Sequence, residues 1–322
     1  MRRHSNRYSH ITGSLLCLLI APALDVCAAD PPELFTAAEP LLIRIEAPFS
    51  EVIRTRRDPQ YERARLFYTN AEGTESAVDL RVRVRGKSRA ALCSFPPLLL
   101  NFPNEGLAGT VFEGQNRLKL VTHCQASSDY EDYVELEYLA YRARALVTDA
   151  ALAARLVEVR YVDSERGREL AVKPGILLED EERYAERMSL TVVSAPTLER
   201  ARYDQPGLAL LETFQYFIRN TDWSALAGPD GEQCCHNVVP YARTDGSLVG
   251  VPYDFDGAGL VNAPHALPDE RLGLRTVRQR LYRGPCRSTE ELQAAFARFA
   301  AVRPQLTALF TDNPRLEARR KN

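Results

Sequence analysis

Alternating apolar and charged residues constrain the fold more than any other feature of this sequence. Over residues 79–85 leucine or valine occupies every second position, and arginine follows each of them. Successive side chains of a β-strand point to opposite faces, so this period of two predicts a strand with one buried and one exposed face. Further strands are predicted over residues 41–47, 65–68, 98–102 and 117–122. The first third of the chain is therefore predicted to be mainly antiparallel β.

A helical period replaces this alternation over residues 129–147, where Leu136, Ala140, Ala143 and Val147 form one apolar stripe. Such a stripe is typical of a helix that packs one face against a core. The remaining elements follow from the same patterns: strands over 157–162, 175–179, 238–241 and 249–253, and helices over 207–219 and after the capping box at 288–291. Because strands and helices do not alternate as βαβ units, the fold class is predicted to be α+β.

The first 29 residues have the layout of a cleavable secretory signal. Three arginines precede a short apolar run over residues 14–24, and small residues follow it. The run is too short to span a bilayer, and no later segment is apolar enough to do so. We therefore expect a periplasmic or secreted protein with no transmembrane segment in the mature chain. A lipoprotein is the alternative, although Asp25 and Val26 precede Cys27 where small residues are needed.

Five cysteines follow this segment: Cys93, Cys124, Cys234, Cys235 and Cys286. In an oxidising compartment some of them should pair. A bond between adjacent cysteines is strained, so we predict a Cys93–Cys124 bond and a second bond from Cys234 or Cys235 to Cys286. A zinc site is the alternative, but no CxxC motif supports it. The formal net charge of −2 offers no basic footprint for nucleic acid, so none is expected as a partner.

Oxygen donors of the kind that hold magnesium are concentrated between residues 220 and 262. Asp222 follows the helix predicted over 207–219, Asn237 precedes the predicted hairpin, and Asp254 and Asp256 follow it. Carboxylate and amide oxygens are the ligands that magnesium prefers in proteins. The segment therefore predicts a metal site formed by Asn237, Asp254 and Asp256.

Phosphoryl transfer also needs a lysine for the phosphates and an acid that orients it. Lys119 on a predicted strand and Glu137 on the following helix supply both in the required order. Arg85 and Arg89 flank a Gly-Lys-Ser turn and add further positive charge. The sequence contains neither a GxGxxG dinucleotide motif nor a GxxxxGK[ST] phosphate loop.

Several of these segments resemble motifs of the spore-coat CotH family of atypical, protein-kinase-like enzymes. The matching segments are Arg85-Gly86-Lys87-Ser88-Arg89, Lys119 in LKLV, Glu137, residues 175–179 (GILLE), Asn220-Thr221-Asp222-Trp223, His236-Asn237 and Tyr253-Asp254-Phe255-Asp256. The resemblance covers roughly residues 78–262. The chain departs from the family pattern in an insertion over 227–235 and in lacking the Gly-rich loop of ordinary protein kinases.

The resemblance implies a two-lobed, protein-kinase-like fold. Its β-rich N-terminal lobe would cover residues 30–180 with one long helix, and its more helical C-terminal lobe residues 181–322. It also implies an exported phosphotransferase that uses ATP and Mg²⁺ on an unknown acceptor, which could be a protein, a sugar or a lipid. The implied roles are a catalytic base, Asp222; nucleotide-binding residues, Lys119, Glu137, Arg85 and Arg89; and metal ligands, Asn237, Asp254 and Asp256.

Each candidate also has a structural interpretation, as a solvent-facing strand residue, a surface ion pair, a helix cap or a turn residue. Two other functions stay open as well. One is a catalytically inactive, kinase-shaped binding protein of the cell envelope. The other is a DxD-type glycosyltransferase that uses Asp254 and Asp256 for a sugar nucleotide, although such enzymes place this motif among alternating βα units that this chain lacks.

Overall fold

Seven strands in the first half of the chain build its largest sheet. The computed structural model describes residues 29–70, 72–103, 105–229 and 231–316, so the predicted signal segment lies outside the described residues except for its last position. The seven strands are β1 (Leu41–Ala47), β2 (Glu62–Thr69), β3 (Glu75–Val84), β4 (Leu98–Asn101), β5 (Arg117–Val121), β6 (Ala154–Asp163) and β7 (Arg168–Leu178). They form a closed barrel in the order β1-β2-β3-β4-β5-β7-β6.

One parallel pairing closes this barrel. Strand β1 lies parallel to β6, with Leu41 opposite Val157 and Ala47 opposite Asp163, while the other neighbouring strands pair antiparallel. Closure leaves no strand of the sheet with an unpaired edge. The interior is filled by apolar side chains from alternate strand positions, among them Leu66, Leu98 and Leu118, which have no exposed surface.

The closed barrel shows that the expected two-lobed, protein-kinase-like fold is wrong. The strand pattern itself was read correctly: β1 covers the predicted residues 41–47, and β3 includes the alternating arginines. Alternation identifies strands and their buried faces, but it does not say which strands pair. The parallel contact between β1 and β6, two segments distant in sequence, closes the sheet into a barrel.

The described residues contain seven α-helices and a second, smaller sheet. The helices are α1 (Phe49–Arg54), α2 (Ser88–Leu92), α3 (Asp129–Val147), α4 (Glu181–Arg187), α5 (Gln205–Phe217), α6 (Thr289–Ala301) and α7 (Arg303–Thr311). The small sheet has the order β10-β9-β8 and consists of β8 (Thr191–Val192), β9 (Val238–Ala242) and β10 (Leu248–Pro252). None of the described helices combines the length and apolar character that crossing a bilayer requires.

Helix α3 connects the barrel to the second half of the chain. It begins and ends at the residues predicted from its apolar stripe, Asp129 and Val147. Its buried side chains share one core with Leu156 and Ile176 of the barrel strands and with Phe214 of α5. Most side chains of α3 are buried, on one side against strands of the barrel and on the other against α5. The helix therefore lies between the barrel and the second half of the chain.

The disulfides follow the prediction in one case only. Cys93 and Cys124 are bonded, as expected, with their Cα atoms 4.6 Å apart. The second prediction is wrong, because Cys234 is bonded to Cys235, and Cys286 is an exposed free cysteine. Cys234 is buried in an apolar cluster with Trp223, whereas Cys286 lies at the surface.

Truncating Leu98 should destabilise the barrel strongly. Its side chain is 0 % exposed, so Leu98→Ala leaves a cavity and should lower the free energy of unfolding by about 2–5 kcal/mol. The control is Leu42→Ala on β1, where the side chain is 58 % exposed and the loss should be about 0.5 kcal/mol or less. Urea denaturation followed by tryptophan fluorescence measures both, and equal losses would contradict the barrel interior described here.

Candidate functional site

A buried arginine lies at the centre of the predicted site residues. Arg89, on the short helix α2, is 8 % exposed. Its Nη2 donates to Oδ1 of Asp254, its Nε lies 3.2 Å from Oδ2 of Asp256, and its Nη1 lies 3.5 Å from Oε2 of Glu137. Glu137 comes from α3, and the two aspartates come from the loop after β10. One guanidinium group therefore joins three segments that are distant in sequence.

Three carboxylates around one cation give these groups unusual proton affinities. Burial lowers the pKa of Arg89, but Asp254, Asp256 and Glu137 together outweigh burial and raise it. Burial raises the pKa of Glu137 to about 8, with the opposing effect of Arg89 partly cancelled by the two aspartates. Asp256 differs, because Arg89 and a hydrogen bond from His265 overcome its burial and lower its pKa to about 2. Glu137 is therefore the carboxyl group of this cluster that keeps a proton at neutral pH.

Lys119 lies beside this cluster but does not pair with Glu137. Its Nζ contacts the carboxylate of Glu181 at the start of α4 and lies 4.6 Å from the ring centroid of Tyr253. The partner follows from strand register, since Lys119 on β5 is opposite Leu178 on β7, shortly before Glu181. Burial, and then the nearby charge of Arg85, lower the pKa of Lys119, whereas Glu181 and Asp254 act in the opposite direction.

The second group of predicted residues surrounds Asp222, in the loop after α5. The backbone amide of Asp222 donates to Oδ1 of Asn220 at 2.9 Å, which holds the loop in place. Oδ1 of Asp222 lies 2.7 Å from Nε2 of His236, and Nδ2 of Asn237 donates to Oδ2 of Asp222 at 3.1 Å. The side chain of Asp222 remains 51 % exposed. Its carboxylate is therefore oriented by two side chains and accessible to a substrate.

The two groups adjoin through the hairpin of β9 and β10. Asn237 precedes β9, Asp254 follows β10, and Tyr253 donates its amide to the carbonyl of Asn237 at 3.1 Å. Gly257 approaches Asp222 so closely that a Cβ atom there would lie 3.2 Å from the Asp222 Cβ. The predicted residues of both halves thus converge on one region.

Asn237 and Asp254 both have a left-handed backbone, with φ of 52° and 59°. Residues other than glycine rarely adopt this conformation, and such residues concentrate at functional sites. The Asp254 amide is held in this conformation by donating to the Tyr141 hydroxyl oxygen at 2.8 Å. These same two residues stand at the start and the end of the β9–β10 hairpin, and each has a side-chain oxygen that could bind a metal ion.

Asn237 and Asp254 are the residues of this region that could hold a magnesium ion. In the described part of the chain, no group of three or more His, Cys, Asp or Glu side chains is arranged for a metal ion. Magnesium in phosphate-transfer sites needs only one or two carboxylates besides phosphate oxygens and water. The side-chain oxygen Oδ1 of Asn237 and Oδ2 of Asp254 have no hydrogen-bond partner among the described residues, so both are open to a cation. Asp256 is engaged by Arg89 and His265 and braces Arg89 instead.

Three residues of the site were not among the predicted candidates. His236 belongs to the His236-Asn237 segment of the motif resemblance, but no role was assigned to it. Glu181 and His265 gave no sequence signal, because their roles depend on strand register and on the course of a long loop. No protein-family model and no curated protein matches this chain.

Replacing Glu137 should change how stability depends on pH. Unfolded glutamate ionises above its ordinary pKa of 4.5, whereas Glu137 in the folded protein stays protonated up to about pH 8. In this window the folded state binds more protons, so wild-type stability falls as pH rises. Glu137→Gln removes that contribution, and the stability of the variant relative to wild type should increase from pH 4.5 to 8.

Urea denaturation at a series of pH values measures this difference. The control is Glu158→Gln at an exposed position of β6. Its stability relative to wild type should not vary with pH. A pH-independent difference for Glu137→Gln would contradict a protonated Glu137.

Asp222→Asn should lower the pKa of His236. The hydrogen bond that Nε2 of His236 donates to Asp222 is the main cause that raises the pKa of His236 above its ordinary value of 6.5, since it favours the charged imidazole. NMR titration of the histidine ring protons measures the change, with His236→Gln used for assignment. His123, whose pKa burial lowers to about 4, is the internal control and should not move. An unchanged His236 would show that the pair does not form in solution.

Proposed function

We propose that this protein is a phosphotransferase that uses a magnesium-bound nucleotide such as ATP. The observation that carries the proposal is the position of Asp254. It contacts Arg89, is close enough to Lys119 to affect that residue's pKa, and lies in the loop whose Gly257 adjoins Asp222. Cations for phosphate, oxygen donors for magnesium and an exposed carboxylate therefore meet in one region, which is the minimum that phosphoryl transfer needs. The resemblance to the CotH family supports this proposal through its motifs alone, because the two-lobed fold is absent.

Asp222 is the proposed base for the acceptor hydroxyl. It is the most exposed of the site carboxylates that carry an ion pair, and its two oxygens are oriented by His236 and Asn237. A base must reach the hydroxyl proton within hydrogen-bond distance, so an exposed and oriented carboxylate suits this role. The hydrogen bonds from His236 and Asn237 limit the rotation of the Asp222 carboxylate.

Lys119 and Arg85 are the proposed phosphate ligands on the barrel side. Both lie close to each other, as the effect of Arg85 on the pKa of Lys119 shows, and Arg85 forms no ion pair within the described residues. Arg89 contributes positive charge behind them and holds Asp254 in place. Asn237 and Asp254 would hold the magnesium ion, which would neutralise the charge of the phosphate oxygens.

The proposed location is the periplasm or the exterior of the cell, as the N-terminal segment indicates. A nucleotide-dependent enzyme in that location requires that the nucleotide be supplied there or that the reaction precede export. The proposed acceptor is a molecule with a hydroxyl group.

A non-catalytic binding protein is the second candidate, and one observation favours it. Arg89 pairs with both Asp254 and Asp256, so neither carboxylate depends on a metal ion for charge balance. A DxD-type glycosyltransferase is less well supported. It would use the same two carboxylates for a sugar nucleotide, but Asp256 is engaged by His265 as well.

Stabilisation by nucleotide tests the proposal. Magnesium with ATP at about 100 times the dissociation constant should stabilise the folded protein by about 2.7 kcal/mol, or roughly 5 °C in Tm. Asp254→Asn should abolish the shift because it removes a metal ligand. Asp222→Asn should keep the shift and lose phosphate transfer, because the base does not hold the nucleotide.

Differential scanning fluorimetry and release of labelled γ-phosphate measure these two effects. The control is Asp312→Asn, an exposed residue at the end of α7, which should behave as wild type in both. If no nucleotide and no divalent metal changes Tm, the phosphotransferase proposal fails and the binding protein is favoured. A shift that survives Asp254→Asn would place the nucleotide elsewhere.

A further inference from the structure

Three arginines in two segments that meet at Gly259 have no acidic partner among the described residues. Arg219 lies in the same loop as Asp222, and Arg278 and Arg280 lie in the long segment between β10 and α6. No carboxylate oxygen of the described residues lies within 4.0 Å of their guanidinium nitrogens. Three neighbouring positive charges repel one another, and an anionic ligand would relieve this repulsion.

Other arginines of the same segment have defined structural contacts. Arg287 pairs with Glu212 at 2.6 Å. Arg283 donates to the carbonyl of Thr221 at 2.6 Å and to that of Trp223, so it holds the backbone on both sides of Asp222. The segment is therefore anchored to the loop of the proposed base. Arg278 and Arg280 differ from these arginines in having no such contact among the described residues.

Gly259 fixes the position of the three unpaired arginines relative to one another. Its amide donates to the Arg219 carbonyl at 3.0 Å. A Cβ atom at Gly259 would lie 2.2 Å from the carbonyl oxygen of Val277 and 2.8 Å from the Arg219 Cβ, so only glycine permits this contact. Val277 is buried, and Arg278 follows it directly. Arg219 and the start of the Arg278–Arg280 stretch are thus packed on the same glycine.

The electrostatics agree with this packing. Burial lowers the pKa of Arg219, and the charges of Arg280 and Arg278 lower it further. The three positive charges therefore act on one another. Arg278 and Arg280 are exposed, so an extended molecule can reach them from solvent.

The cluster adjoins the loop that carries the proposed base. Gly257, close to Gly259 in the same loop, contacts Asp222, whereas the proposed phosphate ligands Lys119 and Arg85 come from the barrel. Nucleotide and acceptor approach phosphoryl transfer from opposite sides, roughly in line. A basic surface next to the base, and distinct from the phosphate ligands, is therefore placed for the acceptor.

We propose that Arg219, Arg278 and Arg280 bind an acidic segment of a polypeptide acceptor and so direct its hydroxyl group to Asp222. This inference rests on the proposed phosphotransferase function for the role of the segment, but the binding itself does not depend on catalysis. Charge-assisted hydrogen bonds from guanidinium to carboxylate provide the recognition. The exposed arrangement of two of the three arginines suits several consecutive acidic side chains of an extended chain.

Binding of a labelled hexaglutamate peptide tests the inference. Fluorescence anisotropy should show binding at low salt that weakens as salt increases, and no binding of hexalysine. The double variant R278Q/R280Q should weaken hexaglutamate binding about tenfold, a loss of about 1.4 kcal/mol. R278K/R280K keeps both charges and should recover most of the affinity. The matched control, R63Q/R303Q, removes two exposed arginines elsewhere and should bind as wild type.

The outcomes separate this inference from the proposed function. Equal binding by R278Q/R280Q and the control overturns the inference, as does arginine-dependent binding of polygalacturonate without binding of hexaglutamate. Arginine-dependent peptide binding without any nucleotide-induced change in Tm supports the docking surface and refutes the phosphotransferase. Loss of the nucleotide shift in R278Q/R280Q, with its Tm otherwise unchanged, would assign these arginines to the nucleotide and also overturn the inference.

Discussion

The contacts of Arg89 are the interaction on which the rest of the site depends. A guanidinium group withdrawn from water is costly unless opposite charges surround it, and removal of one partner from a buried pair typically costs about 3–5 kcal/mol. Here the partners come from α3 and from the loop after β10, while Arg89 itself follows the last residues of β3. The same charges that balance one another therefore also hold the barrel, the long helix and the hairpin loop in register. A change in any of the three segments is transmitted to the position of Asp254.

Local patterns in the sequence predicted the elements more successfully than their assembly. The alternation of residues 41–47 and 79–85 and the stripe of residues 129–147 identified β1, most of β3 and all of α3, because burial of one face is a local property. The closure of the barrel is not local. It depends on the pairing of β1 with β6, and the resemblance to a two-lobed fold suggested the wrong arrangement for the same strands.

The candidate site shows the same limit. The order of motifs grouped Asp222, Asn237 and Asp254 correctly, since a hairpin joins two of them and the third precedes it. It did not reveal which cation contacts which acid. The expected partner of Lys119 was Glu137, but strand register places Lys119 beside Glu181. Glu137 forms an ion pair with Arg89 instead. A motif comparison supplies the types of residues at a site, whereas their pairing follows from register and burial.

The exchange of partners has a chemical consequence for the proposed activity. Arg89 binds one oxygen of Asp254, and the other oxygen has no hydrogen-bond partner among the described residues. The side-chain oxygen of Asn237, at the adjoining end of the hairpin, has none either. Burial raises the pKa of Glu137, and the two aspartates offset part of the opposing effect of Arg89. Additional positive charge at Asp254 would favour ionised Glu137, since it would offset the repulsion between the carboxylates. Asp254 and Glu137 contact the same guanidinium group, so a cation that bound at the hairpin would also act on α3.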